Sequence, residues 1–319
     1  MDTFGHRFRL TVFGASHAPA VGVVIQGVPA SLPLEAKDFT PDLLRRKSGA
    51  PGTTPRIEDD LPVIDDRRAD DGKLTLTFAN RNYRDEEYKD FTHIPRPGHA
   101  DFVALSRYGS LLQGRFSGRM TLPLVAAGVV AKKFIAPLHI EAQLIEVGGV
   151  PATDAAAVSR QITTAAAEGD SLGGIVECRC TEVPVGLGEP FFDSLESLLS
   201  HAMFSIPGIR GIEFGDGFAA ARMKGSEHND PIIDAQGHTA RNGAGGINGG
   251  LSNGNPVVFR VAVKPTSSIR KPQRTFDFDR GECVDFSVPG RHDSCFALRV
   301  PPVVEAMAAC VFADLIEFA

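Results

Sequence analysis

The sequence contains no tryptophan and only three tyrosines among its 319 residues, and it lacks any long apolar run. The longest such run, residues 122–131, is much shorter than the roughly 20 residues that a membrane-spanning helix needs. Residues 1–5 lack the basic start and apolar stretch of a secretion signal. We therefore expect a cytoplasmic protein that has no membrane partner.

Paired cysteines and paired histidines are also missing. The five cysteines show no C-x-x-C spacing, and the nine histidines include no H-x-x-x-H pair. The triplets HAD (99–101) and RHD (291–293) contain metal-ligand residue types but have no convincing partner set. We expect no metal site, and reduced, mostly buried thiols at residues 178, 180, 283, 295 and 310.

The charge balance is mildly acidic, with a formal net charge of −6 at pH 7. A general nucleic-acid surface needs a basic excess, so we expect no nucleic-acid partner. Hydrophobic residues make up 43% of the chain, which is ample for a core. Because no low-complexity linker divides the sequence, we expect a single domain over residues 1–319.

Apolar patterning predicts an α+β fold. Helices are expected at 121–133, 193–204 and 301–318, where apolar runs begin at suitable capping or proline positions. Strands alternate with the helices, which favours layered sheets and helices. The strands are expected at 10–13, 22–26, 74–78, 174–180 and 257–263.

Two segments echo each other, VPASLPLEAKDFTPDLLRR (28–46) and VPVGLGEPFFDSLESLLSH (183–201). Both follow a strand-like stretch, share V-P-x-x-L, and reach an aspartate (Asp38 and Asp193) that would cap a Leu-rich helix. Two related halves of one α+β unit would explain the echo. A chance match is the competing explanation, because only one pair of segments matches.

A glycine-rich segment, NGAGGINGGLSNGNP (242–256), precedes the predicted strand at 257–263 and the polar exit Lys264–Ser268. Glycine costs roughly 0.5–1 kcal/mol relative to alanine inside a helix or strand, so such a cluster indicates that something approaches the backbone closely. We interpret it as a cradle for a flat, phosphorylated ligand. The alternative is a flexible linker.

Arginines are concentrated in three places. GRFSGRMT (114–121) puts Arg115, Ser117 and Arg119 before a predicted helix, where free N–H groups and the helix dipole favour an anion. LLRRKSGAPGTTPR (43–56) and FANRNYRDEEY (78–88) add further cations, which suit carboxylates or phosphates. Ordinary solvated charge is the alternative for each motif. The further cations are Arg45, Arg46, Lys47, Arg56, Arg81 and Arg84.

Three residues are candidates for proton transfer. His17 lies among small residues in FGASHAPAVG, and His99 sits on the Pro-Gly turn of PRPGHAD. Imidazole exchanges protons near neutral pH. Asp293 in GRHDSC is a candidate proton acceptor. Each residue also has a plain structural interpretation, as a hydrogen-bonding histidine or a loop-capping aspartate.

Taken in order, these motifs resemble the chorismate synthase family over nearly the whole chain. The resemblance implies a lyase with a β-α-β sandwich and an internal pseudo-repeat, typically a homotetramer. It implies conversion of 5-enolpyruvylshikimate 3-phosphate into chorismate by an anti 1,4-elimination that requires reduced FMN, with NADPH as a possible reductant. The motifs that carry it are FGASHAPAVGVVIQGVPASLPL, RPGHAD, GRFSGRMT, VPVGLGEPFFD, GIEFGDGFAAAR, NGAGGINGGLSNGNP, KPTSSI, GRHDSC and PPVVEAMAACVFAD.

The resemblance also assigns roles by position. His17 resembles the histidine near the leaving phosphate, His99 the one near the flavin that protonates it, and Asp293 the aspartate that removes the ring proton together with flavin N5. Arg46 resembles the family's basic residue in the substrate and nicotinamide region, and from the arginine clusters we add Arg45 and Arg119 as expected substrate contacts. Flavin contacts are assigned to Arg115, Ser117, Gly249, Lys264, Pro265, Thr266, Ser267, Ser268 and Arg291.

The chain departs from the family pattern near these residues. Ala15 replaces a glutamate beside His17, while Phe116 and Met120 replace a serine and a glutamate around Ser117. Pro207-Gly208 stands where an Asn-Ala pair that contacts the flavin is common, and the loop after Arg46 is shortened. The leading hypothesis is an active enzyme; the alternatives are a non-catalytic FMN- or metabolite-binding paralogue and a flavin reductase.

Overall fold

The first of two sheets is built from the N-terminal part of the chain. In the computed structural model, which describes residues 2–82 and 90–316, the sheet order is β1-β2-β3-β5-β4 and every neighbouring pair is antiparallel. Along one strand, Leu74, Leu76 and Phe78 are buried at alternate positions, as a pleated strand requires. The strands are β1 (Thr3–Phe4), β2 (Arg9–Gly14), β3 (Ala20–Gln26), β4 (Val63–Arg67) and β5 (Lys73–Ala79).

The second sheet has the order β7-β6-β8-β12-β9, again antiparallel throughout. Its strands are β6 (His139–Val147), β7 (Val150–Pro151), β8 (Gly174–Thr181), β9 (Ile209–Phe214) and β12 (Val257–Val263). Two hairpins stand apart from the sheets. They are β10 (Ile247–Asn248) with β11 (Leu251–Ser252), and β13 (Gln273–Asp277) with β14 (Glu282–Phe286).

Helices fill the space between the two sheets. The two most apolar helices, α3 and α7, pack on each other; α3 contacts β2, β3 and β5, and α7 contacts β6 and β8. The result is a sheet–helix–helix–sheet sandwich, which confirms the predicted α+β class. The helices are α1 (Ala36–Arg46), α2 (Asp101–Tyr108), α3 (Thr121–Phe134), α4 (Ala155–Ala167), α5 (Leu195–Phe204), α6 (Gly225–His228) and α7 (Pro301–Leu315).

The two halves of the sandwich repeat the same topology. The first half runs β2, β3, α1, β4, β5, α3, and the second runs β6, β8, α5, β9, β12, α7. If the four strands of each half are numbered in chain order, their order across the sheet is 1-2-4-3 in both halves. This order is β2-β3-β5-β4 in the first half and β6-β8-β12-β9 in the second. The two echoing sequence segments connect the second strand to the first helix in each half. The pseudo-repeat predicted from that echo is therefore confirmed.

The predicted caps of these two helices were wrong. Helix α5 is capped by Ser194, whose hydroxyl accepts a hydrogen bond from Ser197 N at 3.1 Å, and Asp193 precedes the cap. Helix α1 has Glu35 at its N-cap; Asp38 lies inside the first turn and accepts a hydrogen bond from Glu35 N at 2.8 Å. The free N–H groups at the start of α5 are satisfied by Ser194, and those at the start of α1 by the reciprocal pair of Glu35 and Asp38. Neither helix therefore needs an aspartate at its N-cap.

Predicted elements otherwise agree with the structure to within a few residues. The last helix was expected to reach residue 318, but it ends at Leu315, and residues 317–319 lie outside the described part of the chain. Arg84, one of the cations singled out in the sequence, also lies outside it. No helix of the described residues is long and apolar enough to cross a bilayer.

The contact between α3 and α7 depends on a small residue. A Cβ added to Gly128 in α3 would lie 2.2 Å from Ala306 Cβ and 2.3 Å from its Cα in α7. Such contacts are far closer than real atoms allow. The absence of a side chain at residue 128 therefore sets the separation of the two central helices.

We expect Gly128→Ala to destabilise the protein by about 1–3 kcal/mol, because overpacking in the core outweighs the better helix propensity of alanine. Denaturant unfolding would measure the change. Gly225→Ala in α6 is the matched control, since a Cβ there meets nothing within 4 Å. Equal stability of the two variants would contradict this account of the packing.

Candidate functional site

Loops from both halves of the sandwich enclose one cavity of about 210 Å³. A single water needs roughly 10–15 Å³ of such space, so the cavity has room for an organic ligand. The wall contains His17 after β2, Arg46 at the end of α1, Lys264 after β12 and Asp293 before α7. The pseudo-repeat thus brings sequence-distant loops to one place.

All three candidates for proton transfer, His17, His99 and Asp293, line this cavity. Two of the three predicted substrate residues line it as well, namely Arg46 and Arg119. The cavity also contains most of the predicted cofactor residues: Ser117, Lys264, Pro265, Thr266, Ser267, Ser268 and Arg291.

Three predicted site residues lie elsewhere. Arg45 forms a two-pronged ion pair with buried Glu305, at 2.7 and 2.6 Å, and Arg115 pairs with Asp2 at 2.8 Å. Gly249 sits in the β10–β11 hairpin. None of the three lines the cavity of this chain, and their assignment to ligand binding stays a prediction.

The glycine-rich segment 242–256 does not form the cavity wall that we expected of it within one chain. Its glycines instead permit backbone segments to pack closely on each other. A Cβ on Gly245 would lie 2.5 Å from Gly215 N and 2.8 Å from Val258 O. The close approach predicted from the composition is real, but its partner is backbone beside β9 and β12.

A buried carboxylate, Asp60, joins two arginines of the cavity. Asp60 accepts a hydrogen bond from Arg46 Nη2 at 2.7 Å and a second from Arg119 Nη1. All three side chains are at least nine-tenths buried. Burial, and then the nearby charge of Arg299, lowers the pKa of Arg46 to about 10, so Arg46 still carries its charge at pH 7.

Asp60 is ionised at the same pH. Burial would raise its pKa, but the charges of Arg46 and Arg119 outweigh burial and hold the pKa below its ordinary value. Asp60 also adopts φ = 56°, in the left-handed region that a non-glycine residue rarely occupies. A strained backbone at this position indicates that the two ion pairs fix the loop.

Arg119 connects this carboxylate to the loop that carries His17. Its Nε donates to Asn80 Oδ1 at 3.1 Å, and Asn80 Nδ2 donates to the carbonyls of Ala15 and Ala18 at 3.0 and 2.7 Å. His17 itself is held by its backbone N–H, 3.0 Å from Gln113 O, and by a 2.9 Å contact between its Nδ1 and Ser16 Oγ. The network fixes the imidazole in the wall.

His99 is held by a second carboxylate, Asp101, which starts α2. His99 Nδ1 lies 2.6 Å from Asp101 Oδ1, and Arg96 forms a two-pronged pair with the same carboxylate at 2.7 and 2.8 Å. Burial, with the positive charge of Arg96, lowers the pKa of His99 below its ordinary value despite the opposing effect of Asp101. His99 is therefore neutral at pH 7 in the free protein.

Asp293 lies at the opposite end of the chain but in the same wall. Its Oδ1 accepts from Thr54 N at 2.8 Å, and both oxygens are 3.2 Å from Arg299 Nη1. Arg299 Nε in turn donates to the carbonyl of Arg46 at 3.0 Å. The carboxylate retains acceptor capacity for a ligand proton, because each oxygen can accept two hydrogen bonds.

Several residues of the site were missed in the sequence. Glu58, Asp60, Arg96 and Arg299 line the cavity, whereas Asn80 and Asp101 lie behind its wall and hold Arg119 and His99. Their functional signal is weak, because a single buried carboxylate or amide has no spacing pattern of its own. Asp101 did fall in the triplet HAD, which we had considered for metal binding. No group of three or more metal-ligating side chains occurs among residues 2–82 and 90–316.

The cavity is strongly electropositive for an acidic protein. Seven cationic side chains line it against the three carboxylates Glu58, Asp60 and Asp293. Cations in a partly desolvated wall attract anions far better than surface charges do. The site therefore fits a small ligand with several negative charges. The cations are Arg46, Arg56, Arg96, Arg119, Lys264, Arg291 and Arg299.

Comparison with known proteins agrees with this geometry. The family model described as chorismate synthase matches residues 8–316. A chorismate synthase from Chitinophaga pinensis is 56% identical over 323 residues, covering 98% of this chain and 96% of that protein. One from Korarchaeum cryptofilum is 41% identical with the same coverage. A crystal structure of chorismate synthase superposes with a TM-score of 0.73 at 25% identity, covering 98% of this chain and 92% of the other.

Removing the carboxylate between the two arginines is expected to be costly. We expect Asp60→Ala to lower the free energy of unfolding by about 3–5 kcal/mol, because it leaves two buried guanidinium groups without their counter-charge. Denaturant titration measures the change. The control is Asp59→Ala, which removes an exposed carboxylate that pairs with exposed Arg81 at 3.4 Å. A loss below 1 kcal/mol for Asp60→Ala would rule out this role.

Proposed function

The chain belongs to the chorismate synthase family, and from this premise we propose which of its residues carry the reaction. The protein is a carbon–oxygen lyase that converts 5-enolpyruvylshikimate 3-phosphate into chorismate and inorganic phosphate. The observation that supports the residue assignment is the meeting of His17, His99 and Asp293 in one cationic cavity.

We propose that the arginines of the cavity bind the substrate. The substrate carries one phosphate and two carboxylates, and guanidinium groups bind both kinds of group with paired hydrogen bonds. Arg46 and Arg119 are already ordered by Asp60 before any ligand arrives. Such preorganisation lowers the entropy cost of binding and fixes the substrate ring relative to the proton-transfer groups.

The elimination requires the loss of a ring proton, a shift of the ring double bond and the departure of phosphate. We propose that Asp293 accepts the ring proton, since it is a carboxylate with acceptor capacity in the wall. His17 would donate a proton to the departing phosphate, supported by its Ser16 contact at 2.9 Å. Positioned acid–base groups of this kind contribute about 10²–10⁴ in rate.

We propose that the side chains after β12 hold reduced FMN. Thr266 Oγ1 is buried in the cavity wall and has no hydrogen-bond partner among the described residues. Because buried hydroxyl groups are normally hydrogen-bonded, this atom fits a contact with a polar group of a ligand. Lys264, Ser267, Ser268, Ser117 and Arg291 add cationic and hydroxyl donors suited to a phosphate. Held by these side chains, reduced FMN would supply transient electron donation to the substrate without net oxidation.

The proposal also covers the cellular location, the oligomeric state and the reductant of the protein. We propose a cytoplasmic homotetramer with NADPH as the source of reducing power. Phe191, Phe192 and Phe218 expose 87%, 92% and 78% of their surface, and such apolar side chains support contacts between subunits. Arg46 would serve the nicotinamide region as well as the substrate.

Replacing each proton-transfer residue is the direct test of the roles. We expect His17→Ala, His99→Ala and Asp293→Ala each to lower turnover at least tenfold with the fold intact. The measurement is anaerobic release of chorismate and phosphate from 5-enolpyruvylshikimate 3-phosphate with reduced FMN. The control is His93→Ala, whose exposed ring pairs with Asp279 at 2.7 Å away from the cavity.

Near-normal turnover in all three variants would contradict the assignment of roles. NADPH oxidation by the wild-type protein without chorismate formation would indicate a flavin reductase, and tight FMN binding without any turnover would indicate a non-catalytic paralogue.

The buried hydroxyl of Thr266 tests the cofactor assignment without turnover. We expect Thr266→Val to raise the dissociation constant of FMN roughly 2- to 10-fold, because a neutral hydrogen bond contributes about 0.5–1.5 kcal/mol. Quenching of flavin fluorescence measures the affinity. Thr163→Val, on the exposed part of α4, is the control. An unchanged affinity for Thr266→Val would place the flavin elsewhere.

A further inference from the structure

The His99 ring makes two polar contacts at Nδ1 and, within the described part of the chain, none at Nε2. Nδ1 lies 2.6 Å from Asp101 Oδ1 and 3.0 Å from Arg96 Nη2. Nε2 makes no hydrogen bond to any described residue, and His99 lines the cavity. Which nitrogen carries the proton is therefore decided at Nδ1, between a carboxylate and a guanidinium group.

Asp101, rather than Arg96, determines whether Nδ1 carries a proton. If Nδ1 carried no proton, its lone pair would face a carboxylate oxygen at 2.6 Å, which is strongly repulsive. Arg96 Nη2 has a better acceptor, since it lies 2.8 Å from the same Asp101 oxygen. A proton on Nδ1 turns the short contact into a charge-assisted hydrogen bond.

Asp101 is itself built to keep its charge and position. Asp101 is 98% buried, and Arg96 donates hydrogen bonds to both of its carboxylate oxygens. Arg96 Nη1 also donates to Ser268 Oγ at 3.1 Å. Burial would raise the pKa of Asp101, but the hydrogen bonds from Arg96 and His99 hold it well below its usual range. Asp101 is therefore ionised at pH 7 and acts as a hydrogen-bond acceptor.

The turn that carries His99 is clamped from the other side. The carbonyl of Gly98 accepts hydrogen bonds from Lys264 Nζ at 2.8 Å and from Ser267 Oγ at 2.7 Å. Both donors belong to the segment after β12 that lines the cavity. The charged groups around the imidazole are thus Asp101, Arg96 and Lys264.

We propose that Asp101 is a positioning residue that fixes His99 in the tautomer with a proton on Nδ1, leaving Nε2 as the proton-accepting atom toward the cavity. This proposal rests on the proposed role of His99 as a proton-transfer residue and makes that role more specific. In the free enzyme His99 accepts a proton at Nε2, and it donates one there only after it has been charged. A partner carboxylate that selects a tautomer is a known way to orient a catalytic imidazole.

The tautomer is measured on the full-length protein without flavin or substrate. Side-chain ¹H–¹⁵N spectra of ¹⁵N-labelled protein distinguish protonated from unprotonated ring nitrogens, and His99→Gln identifies the His99 signals by their loss. We expect a proton on Nδ1 in the neutral wild-type ring. A proton on Nε2 would overturn the proposal without any variant, so the test does not depend on whether an Asp101 variant folds.

Asp101→Ala tests the cause. Without the carboxylate, Arg96 Nη2 is left 3.0 Å from Nδ1 and donates to it, so we expect the proton to move to Nε2. Turnover should fall tenfold or more. Asp279→Ala is the matched control, because it removes the carboxylate of the exposed His93 pair; it should alter the His93 signals but neither the His99 tautomer nor turnover.

An unchanged His99 tautomer in Asp101→Ala, or a changed tautomer with normal turnover, would overturn the positioning role. Full turnover by His99→Ala would instead contradict the proposed function of His99, whatever tautomer the spectra show. The two failures are therefore distinguishable.

Discussion

The site depends on one buried interaction, the carboxylate of Asp60 between Arg46 and Arg119. Arg46 ends α1 and Arg119 lies directly before α3, so the carboxylate ties two helices of the sandwich to one loop. Without it, two buried guanidinium groups would repel each other and neither would hold its place. A cavity that must receive a multiply charged anion needs this arrangement, because cations ordered before binding lose little entropy when the ligand arrives.

The repeated topology explains how such a cavity arises from distant parts of the chain. Each half carries its helices on one face of a four-strand unit, and the two faces meet through α3 and α7. Loops at the edge of both halves then converge. His17 and Arg46 come from the first half, while Lys264 and Asp293 come from the second. The rigid double layer positions the loops, and the loops carry the chemistry.

Much of this could be predicted from the sequence, and the failures share a cause. Apolar periodicity located the central helices, and the local settings of His17, His99 and Asp293 singled out three residues that line one cavity in the structure. Sequence reasoning missed Asp60, Asn80 and Asp101, because a polar residue that acts by holding another residue has no pattern of its own. The sequence also grouped Arg45 with Arg46, but neighbouring residues on a helix point about 100° apart. In the structure Arg46 lines the cavity and Arg45 pairs with Glu305.

The departures from the family pattern gain a physical interpretation from this network. The backbone carbonyl of Ala15 accepts a hydrogen bond from Asn80 Nδ2 at 3.0 Å. Because this contact involves the backbone, replacing the side chain at residue 15 leaves the hydrogen bond in place. Met120 is 6% exposed and joins the hydrophobic core. Phe116 lines the cavity with its ring nearly perpendicular to that of His99, at 6.5 Å between centroids. Neither Ala15 nor Met120 lines the cavity, so of these three departures Phe116 alone changes the wall that a ligand meets.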